Sequence, residues 1–237
     1  MQTKQGFFHT FYPTDIIQSR IISHGEWEPI MSFVAIEHLK KNYGNVIDFG
    51  ANIGTFSIHV ALNCNSTVVA VECQPSTFTQ LSANIVFNKL NNLIPLLVTI
   101  SDETQILDID IHDPRKSNDS ENFSLKYKYN SLLSIGKYPS ISFDPFLIIS
   151  TYAPAVIKID LEGMDYLVLK SLIEYLNADE VSSIRPLVIA EEMTEKNIIE
   201  MKNLCYQIFK YKALYVCYPN DEIIHQSLTL PVLLSRV

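Results

Sequence analysis

The run Val46-Ile47-Asp48-Phe49-Gly50-Ala51-Asn52-Ile53-Gly54 decides how this chain is read. Val46 to Phe49 reads as a short buried strand carrying one acid, and the chain then turns through Gly50, Asn52 and Gly54 into a helix. Glycine opens backbone conformations closed to other residues, and the short amide of Asn52 tolerates a left-handed position. A turn of this kind lets the backbone approach a bound ligand closely.

Working outward, short β-rich runs recur at Val68 to Glu72, Leu96 to Ile100, Val156 to Asp160 and Leu187 to Glu191. Helical periodicity fills the intervals. Phe78, Leu81 and Ile85 share one face; Val168, Leu169, Leu172, Ile173 and Leu176 form a wide stripe; Ile198, Met201, Cys205 and Ile208 form another. Five buried strands separated by helices imply an α/β, Rossmann-like fold: a mostly parallel sheet with helices on both faces. Tyr211 to Cys217 and Ile223 to Leu230, flanking Pro219-Asn220-Asp221, suggest a C-terminal antiparallel hairpin. A helix is expected from near Pro29, so residues 1–44 read as a helical cap segment and residues 45–237 as the Rossmann-like part of one domain. Between the third and fourth strands, Ile106 to Ile111 alternates like an extra strand, and Asp113 to Ser124 reads as a polar loop.

Composition narrows the classes. The chain has 237 residues, 47% hydrophobic and 19% charged, enough for one substantial core. Eighteen Lys and Arg against 26 Asp and Glu leave a net charge of -8, which opposes long-range attraction to nucleic acid and to anionic membranes. No apolar run reaches membrane-spanning length, and the first residues lack the pattern of a secretory leader. Cys64, Cys73, Cys205 and Cys217 show no metal-ligand spacing, so no metal is expected. They read as reduced thiols of a cytoplasmic protein, with Cys205 in the core.

The chemistry is read from the strand ends. A dinucleotide fingerprint needs glycines at relative positions one, three and six, where this chain has Gly50, Asn52 and Thr55. Glu72, closing the second strand, can accept both hydroxyl protons of a ribose. Asp48 would favour the cationic amino-acid end of S-adenosyl-L-methionine and repel a pyrophosphate. The competing structural role for Asp48 is as a cap of the next helix.

Several motifs taken together resemble the FkbM-type methyltransferases. They are GEWEP (Gly25 to Pro29), VIDFGANIG (Val46 to Gly54), VVAVECQP (Val68 to Pro75), Ser101-Asp102, VIKIDLEGMDYLVLK (Val156 to Lys170) and RPLVIAEE (Arg185 to Glu192). The resemblance implies S-adenosyl-L-methionine as cofactor and O-methylation of a sugar or other small hydroxylated metabolite. It implies an amino-acid pocket at Asp48, Gly50, Ala51, Asn52 and Gly54, a ribose ligand in Glu72, and an adenine neighbour in Ser101 or Asp102. Cys73 departs from the family's first proline after the second strand.

Asp160, at the end of the fourth strand, is the first candidate for a general base, and Glu162 the second; Glu191 and Glu192 stand in reserve. Two adjacent acids on a strand end are not expected to face inward together. His24 and His225 are further candidate bases, and Trp27 reads as a packing anchor. The leading expectation for partners is a small-molecule or glycan acceptor, with no nucleic acid and no membrane. The alternatives are a nucleic-acid methyltransferase, although the fourth strand lacks an Asn/Asp-Pro-Pro-aromatic run, and an inactive cofactor-binding module.

Overall fold

All five expected buried runs lie in strands of the computed structural model, which describes residues 1–112, 134–178, 185–219 and 235–236. A small hairpin, β1 (Gln2–Thr3) and β2 (Gly6–Phe7), leads into α1 (Ile16–His24) and α2 (Pro29–Leu39). The Rossmann-like part follows as β3 (Asn45–Phe49), α3 (Thr55–Asn63), β4 (Val68–Glu72), α4 (Pro75–Phe87) and β5 (Leu93–Leu97). After β6 (Thr99–Ile100), β7 (Gln105–His112) and β8 (Ser134–Phe143) come α5 (Pro145–Tyr152), β9 (Pro154–Ile159), α6 (Asp165–Asn177), β10 (Leu187–Ala190) and α7 (Glu195–Asn203). The remaining strands are β11 (Tyr206–Tyr211), β12 (Leu214–Pro219) and β13 (Ser235–Arg236).

The main sheet has the order β13-β11-β12-β10-β9-β3-β4-β5. The five strands from β10 to β5 are parallel and β12, β11 and β13 run antiparallel. Successive residues of each buried strand enter opposite layers: Val46 and Val68 pack with α2, α3 and α4, while Ile47 and Val69 pack with α5, α6 and α7. This alternation produces helices on both faces. From β3 the chain winds outward through β4 to β5, then returns to place β9 on the other side of β3. Ligands of such sheets bind at this reversal, outside the carboxyl ends of the strands.

Several readings need correcting. The third strand is shifted: Leu93–Leu97 joins the main sheet, its Pro95 accommodated on the outermost strand of that end, while Thr99–Ile100 pairs with β8. Ile106 to Ile111 is a strand, but of a separate three-stranded sheet, β6-β8-β7. Helices α1 and α5 were not read; both are capped by aspartate, Asp15 accepting from the Gln18 amide and Asp144 from the Phe146 amide. The last helix stops at Asn203, so Cys205 is exposed in a left-handed conformation (φ 61°) and is not a core residue. The antiparallel hairpin exists, but it joins Tyr206–Tyr211 to Leu214–Pro219 through Lys212 and Ala213. The expected turn at Asn220-Asp221, the run Ile223 to Leu230, His225 and the polar loop from Asp113 to Ser124 lie outside the described residues.

Candidate active site

A cleft of about 1170 Å³, its open mouth included, lies where β3 and β9 end side by side. The glycine turn forms its floor. Gly50 and Ala51 donate their amides to the Val71 carbonyl at 3.0 and 2.9 Å, binding the turn to β4. A Cβ on Gly50 would stand 1.8 Å from the Asp160 carbonyl oxygen, and its φ of +83° also favours glycine. Gly50 is therefore what lets the ends of β3 and β9 meet. Asn52 takes the left-handed position expected of it (φ 51°), and its Oδ1 accepts from the Ile53 amide at 2.8 Å.

Glu72 faces this turn across the cleft. Its two carboxylate oxygens accept from the Asn52 amide at 3.0 Å and the Gln74 amide at 2.8 Å. Burial lifts its pKa, and the hydrogen bonds from Gln74, Asn52 and Cys73 pull it back. Its carboxylate is held rigidly on the cleft wall, with lone pairs remaining for a diol. Cys73 beside it is a thiol, because burial and the neighbouring Glu72 raise its pKa well above the usual value.

The centre of the site is a residue that the sequence reading passed over. Lys158 lies inside β9, its side chain 6% exposed, and its ammonium contacts Asp48 at 3.2 Å and Asp160 at 3.1 Å. It also donates to the Gly50 carbonyl at 2.9 Å. Burial would push this ammonium down, but Asp160 and Asp48 outweigh it and hold Lys158 above the usual lysine range. The signal was available: a lone lysine within Val-Ile-Lys-Ile must be paired if the strand is buried.

Asp48 consequently does not reach the cleft. Its side chain is fully buried beneath Lys158 and accepts from the Ser57 hydroxyl at 2.5 Å, in the first turns of α3. Burial raises its pKa, opposed by Lys158 and Ser57. Gly54 also stands behind the wall, where a Cβ would come within 2.7 Å of Leu81. Ser101 and Asp102 are not on the wall either; the Ser101 hydroxyl donates to Glu103, and the cleft is lined there by Val98 and Ile100.

Asp160, Glu162 and Glu191 converge on the cleft. Glu162 is held in a left-handed conformation (φ 50°), as is Glu28 (φ 39°) at the head of α2. Burial pushes the Glu191 pKa up to about 9, helped by the charge of Asp160 and a hydrogen bond to it. Buried Asp165, also unread in the sequence, ties this corner together: it accepts from the Leu161 amide at 2.7 Å and the Glu192 amide at 3.0 Å. Burial sets its pKa at about 6.

Trp27 packs against the core and lines the cleft as well, and buried Gln5 fixes its backbone through two hydrogen bonds of 2.8 and 2.7 Å. His24 is exposed, bonded to Ser23 and off the wall. Glu191 and Glu192 lie beyond the last residue of β10, where the pleat no longer forces them apart; both line a second cleft, and Glu191 lines the first as well.

Residues 30–112 match the family model of the TRM5/TYW2 methyltransferase domain. The fold is that of the S-adenosylmethionine-dependent methyltransferases. The match takes in both the glycine turn and Glu72, a little over a third of the chain. No curated protein matches the chain. Among solved structures, the chain resembles TYW2 of P. horikoshii in complex with MeSAdo at 29% identity, over 28% of this chain and 26% of that one, with a TM-score of 0.25. This chain thus spans about a quarter of that relative. TYW2 of M. jannaschii in complex with AdoMet is 16% identical over 83% and 76% of the two chains, TM-score 0.41. A methyltransferase from Geobacter sulfurreducens is 10% identical over 85% of each, TM-score 0.47.

The matching model differs from the FkbM-type family to which the motifs are similar, and TRM5/TYW2 proteins act on tRNA. The expectation that nucleic acid is no partner is overturned by that match. Net charge averages the whole surface, whereas docking depends on local charge, so a charge of -8 does not exclude a nucleic-acid partner. The cofactor expectation stands: S-adenosyl-L-methionine fits the residues present. Among the described residues of this wall, Glu28, Glu72, Asp160, Glu162 and Glu191 stand with one cation, Lys158, a charge pattern suited to a cationic ligand and hostile to a pyrophosphate. No helix among the described residues is long and apolar enough to cross a membrane.

Proposed function

We propose that this chain is an S-adenosylmethionine-dependent methyltransferase acting on RNA, with tRNA as the acceptor class. The observation that carries this reading is the TRM5/TYW2 family match over strands β3 to β5, which build the glycine turn and the Glu72 wall. When bound, the cofactor supplies an electrophilic methyl group on a cationic sulfur. In this reading the chain's own residues hold the donor and acceptor in line, and positioning of that kind contributes about 7–11 kcal/mol to such reactions.

Glu72 binds the ribose diol, and the turn from Gly50 to Asn52 lies along the nucleoside. Glu162 faces the ammonium end. Asp160 would take the proton that the acceptor's N–H or O–H gives up during transfer. Lys158 aims Asp160 by pairing with it at 3.1 Å.

Incubating the protein with methyl-labelled cofactor and total tRNA tests the reading. Label should appear in material sensitive to ribonuclease and resistant to protease, and Asp160→Ala should lose transfer while retaining cofactor binding by calorimetry. Cofactor binding with no label in any RNA would overturn the choice of acceptor.

A further inference from the structure

The second cleft abuts the first at Glu191 and is bounded by the head of α6, the residues following β10 and the β11–β12 hairpin. Its walls combine three chemistries. Tyr166, 46% exposed, and Tyr215 offer aromatic surface. The Lys210 ammonium stands 4.6 Å from the centre of the Tyr215 ring and donates to its hydroxyl at 2.8 Å, placing a cation at the hairpin side. Glu191 and Glu192 supply carboxyl oxygens at the side facing the cofactor cleft.

We propose that this cleft seats the acceptor nucleotide of an RNA, its base against Tyr166 and Tyr215, its N–H edge toward Glu191 and Glu192, and its phosphate at Lys210. The inference rests on the RNA reading given above and adds to it a location and a mode of recognition. Flat rings stack on aromatic side chains regardless of sequence, whereas carboxyl groups select base edges that carry N–H donors. Bases on which chemistry is done are taken out of their stack into such pockets. Glu191 belongs to both clefts, so a base seated here would meet the donor cleft beside Asp160.

The walls are held for this role by contacts remote from the base. Asp165 fixes the Glu192 amide and the Leu161 amide together, so the acids and the donor-side loop keep one spacing. The pairing of Ala190 with Tyr215 joins the hairpin to the same strand end, which sets the cation and the acids on opposite sides of one cavity.

Steady-state transfer to total tRNA provides the test, with cofactor affinity measured separately by calorimetry. Tyr166→Ala should raise the KM for tRNA by about tenfold with the cofactor Kd unchanged. Lys210→Gln should weaken tRNA and reduce the slope of log KM against log salt by about 0.7–0.9, the share of one phosphate contact. A mixture of nucleoside monophosphates supplied in place of tRNA should take up no label, and tRNA substituted with 4-thiouridine should crosslink on irradiation to residues of the second cleft. If tRNA is methylated with unchanged KM and salt slope in both variants, the subsite is wrong and the RNA reading stands. If the wild type methylates no RNA, both fall, and labelled mononucleotides would overturn the polymer as the source.

Discussion

Replacing Lys158 by methionine removes the cation shared by Asp48, Asp160 and the Gly50 carbonyl, and leaves a fully buried carboxylate with no cationic partner among the described residues. Breaking a buried pair from one side costs about 3–5 kcal/mol, because the remaining charge keeps its desolvation penalty and loses its compensation. At roughly 2–4 °C per kcal/mol for a chain of this size, the melting midpoint should fall by about 6–20 °C. The double variant Asp48→Asn/Lys158→Met should recover more than half of that loss. Its buried amide carries no charge, and Asp160, with a side chain 26% exposed, can turn to water. Calorimetric or circular-dichroism melts of wild type, both single variants and the double variant close a cycle that isolates the pair. A Lys158→Met protein melting within about 2 °C of wild type, or a double variant no better than the single, would refute the reasoning.

Gly50→Ala should abolish cofactor binding in calorimetry, since its Cβ would overlap the Asp160 carbonyl at 1.8 Å and no side chain can yield there. Because burial and Asp160 push the Glu191 pKa up to about 9, the arrival of a cation should bring it down; calorimetry near pH 7.5 in buffers of different ionisation enthalpy should show net proton release that Glu191→Gln abolishes. The Asp165 carboxyl, at about 6 when folded and near 3.8 when unfolded, gives stability that is complete below the lower value and lost as pH rises through the upper one. Asp165→Asn should remove that fall, seen as a smaller difference between urea midpoints at pH 4 and pH 7. Gln5→Ala should weaken cofactor binding through the Trp27 wall while lowering the melting midpoint by only a few degrees, as the two lost hydrogen bonds are worth about 0.5–1.5 kcal/mol each.

The glycine turn was legible in the sequence because a positive φ and a close approach leave a chemical signature: Gly50, Asn52 and Gly54 all proved left-handed. Four of the five parallel strands were legible for the same kind of reason, since strands buried on both faces read as unbroken apolar runs, while the third was read three residues late, across Val98 into β6. Asp48 shows where that kind of reading stops. Its position at the strand end was plain, but whether it opens on the cleft or lies under it depends on Lys158, more than a hundred residues later. Ser101 and Asp102 were misplaced because the chain after β5 is steered by pairing with β8, a contact between distant segments. The hairpin boundary was missed because its two-residue turn is Lys-Ala, with Lys212 at φ 56°, where Asn-Gly would have announced it.

Glu28, Asn52 and Glu162, set around one cleft, all hold backbone conformations that cost residues with side chains about 1–2 kcal/mol each. Asparagine bears this most easily; the two glutamates do not. Selection of this protein for heat tolerance alone should therefore drift first to glycine at positions 28 and 162. A hardened descendant would melt later and hold its ligand less well, having exchanged the acids of its own mouth for endurance.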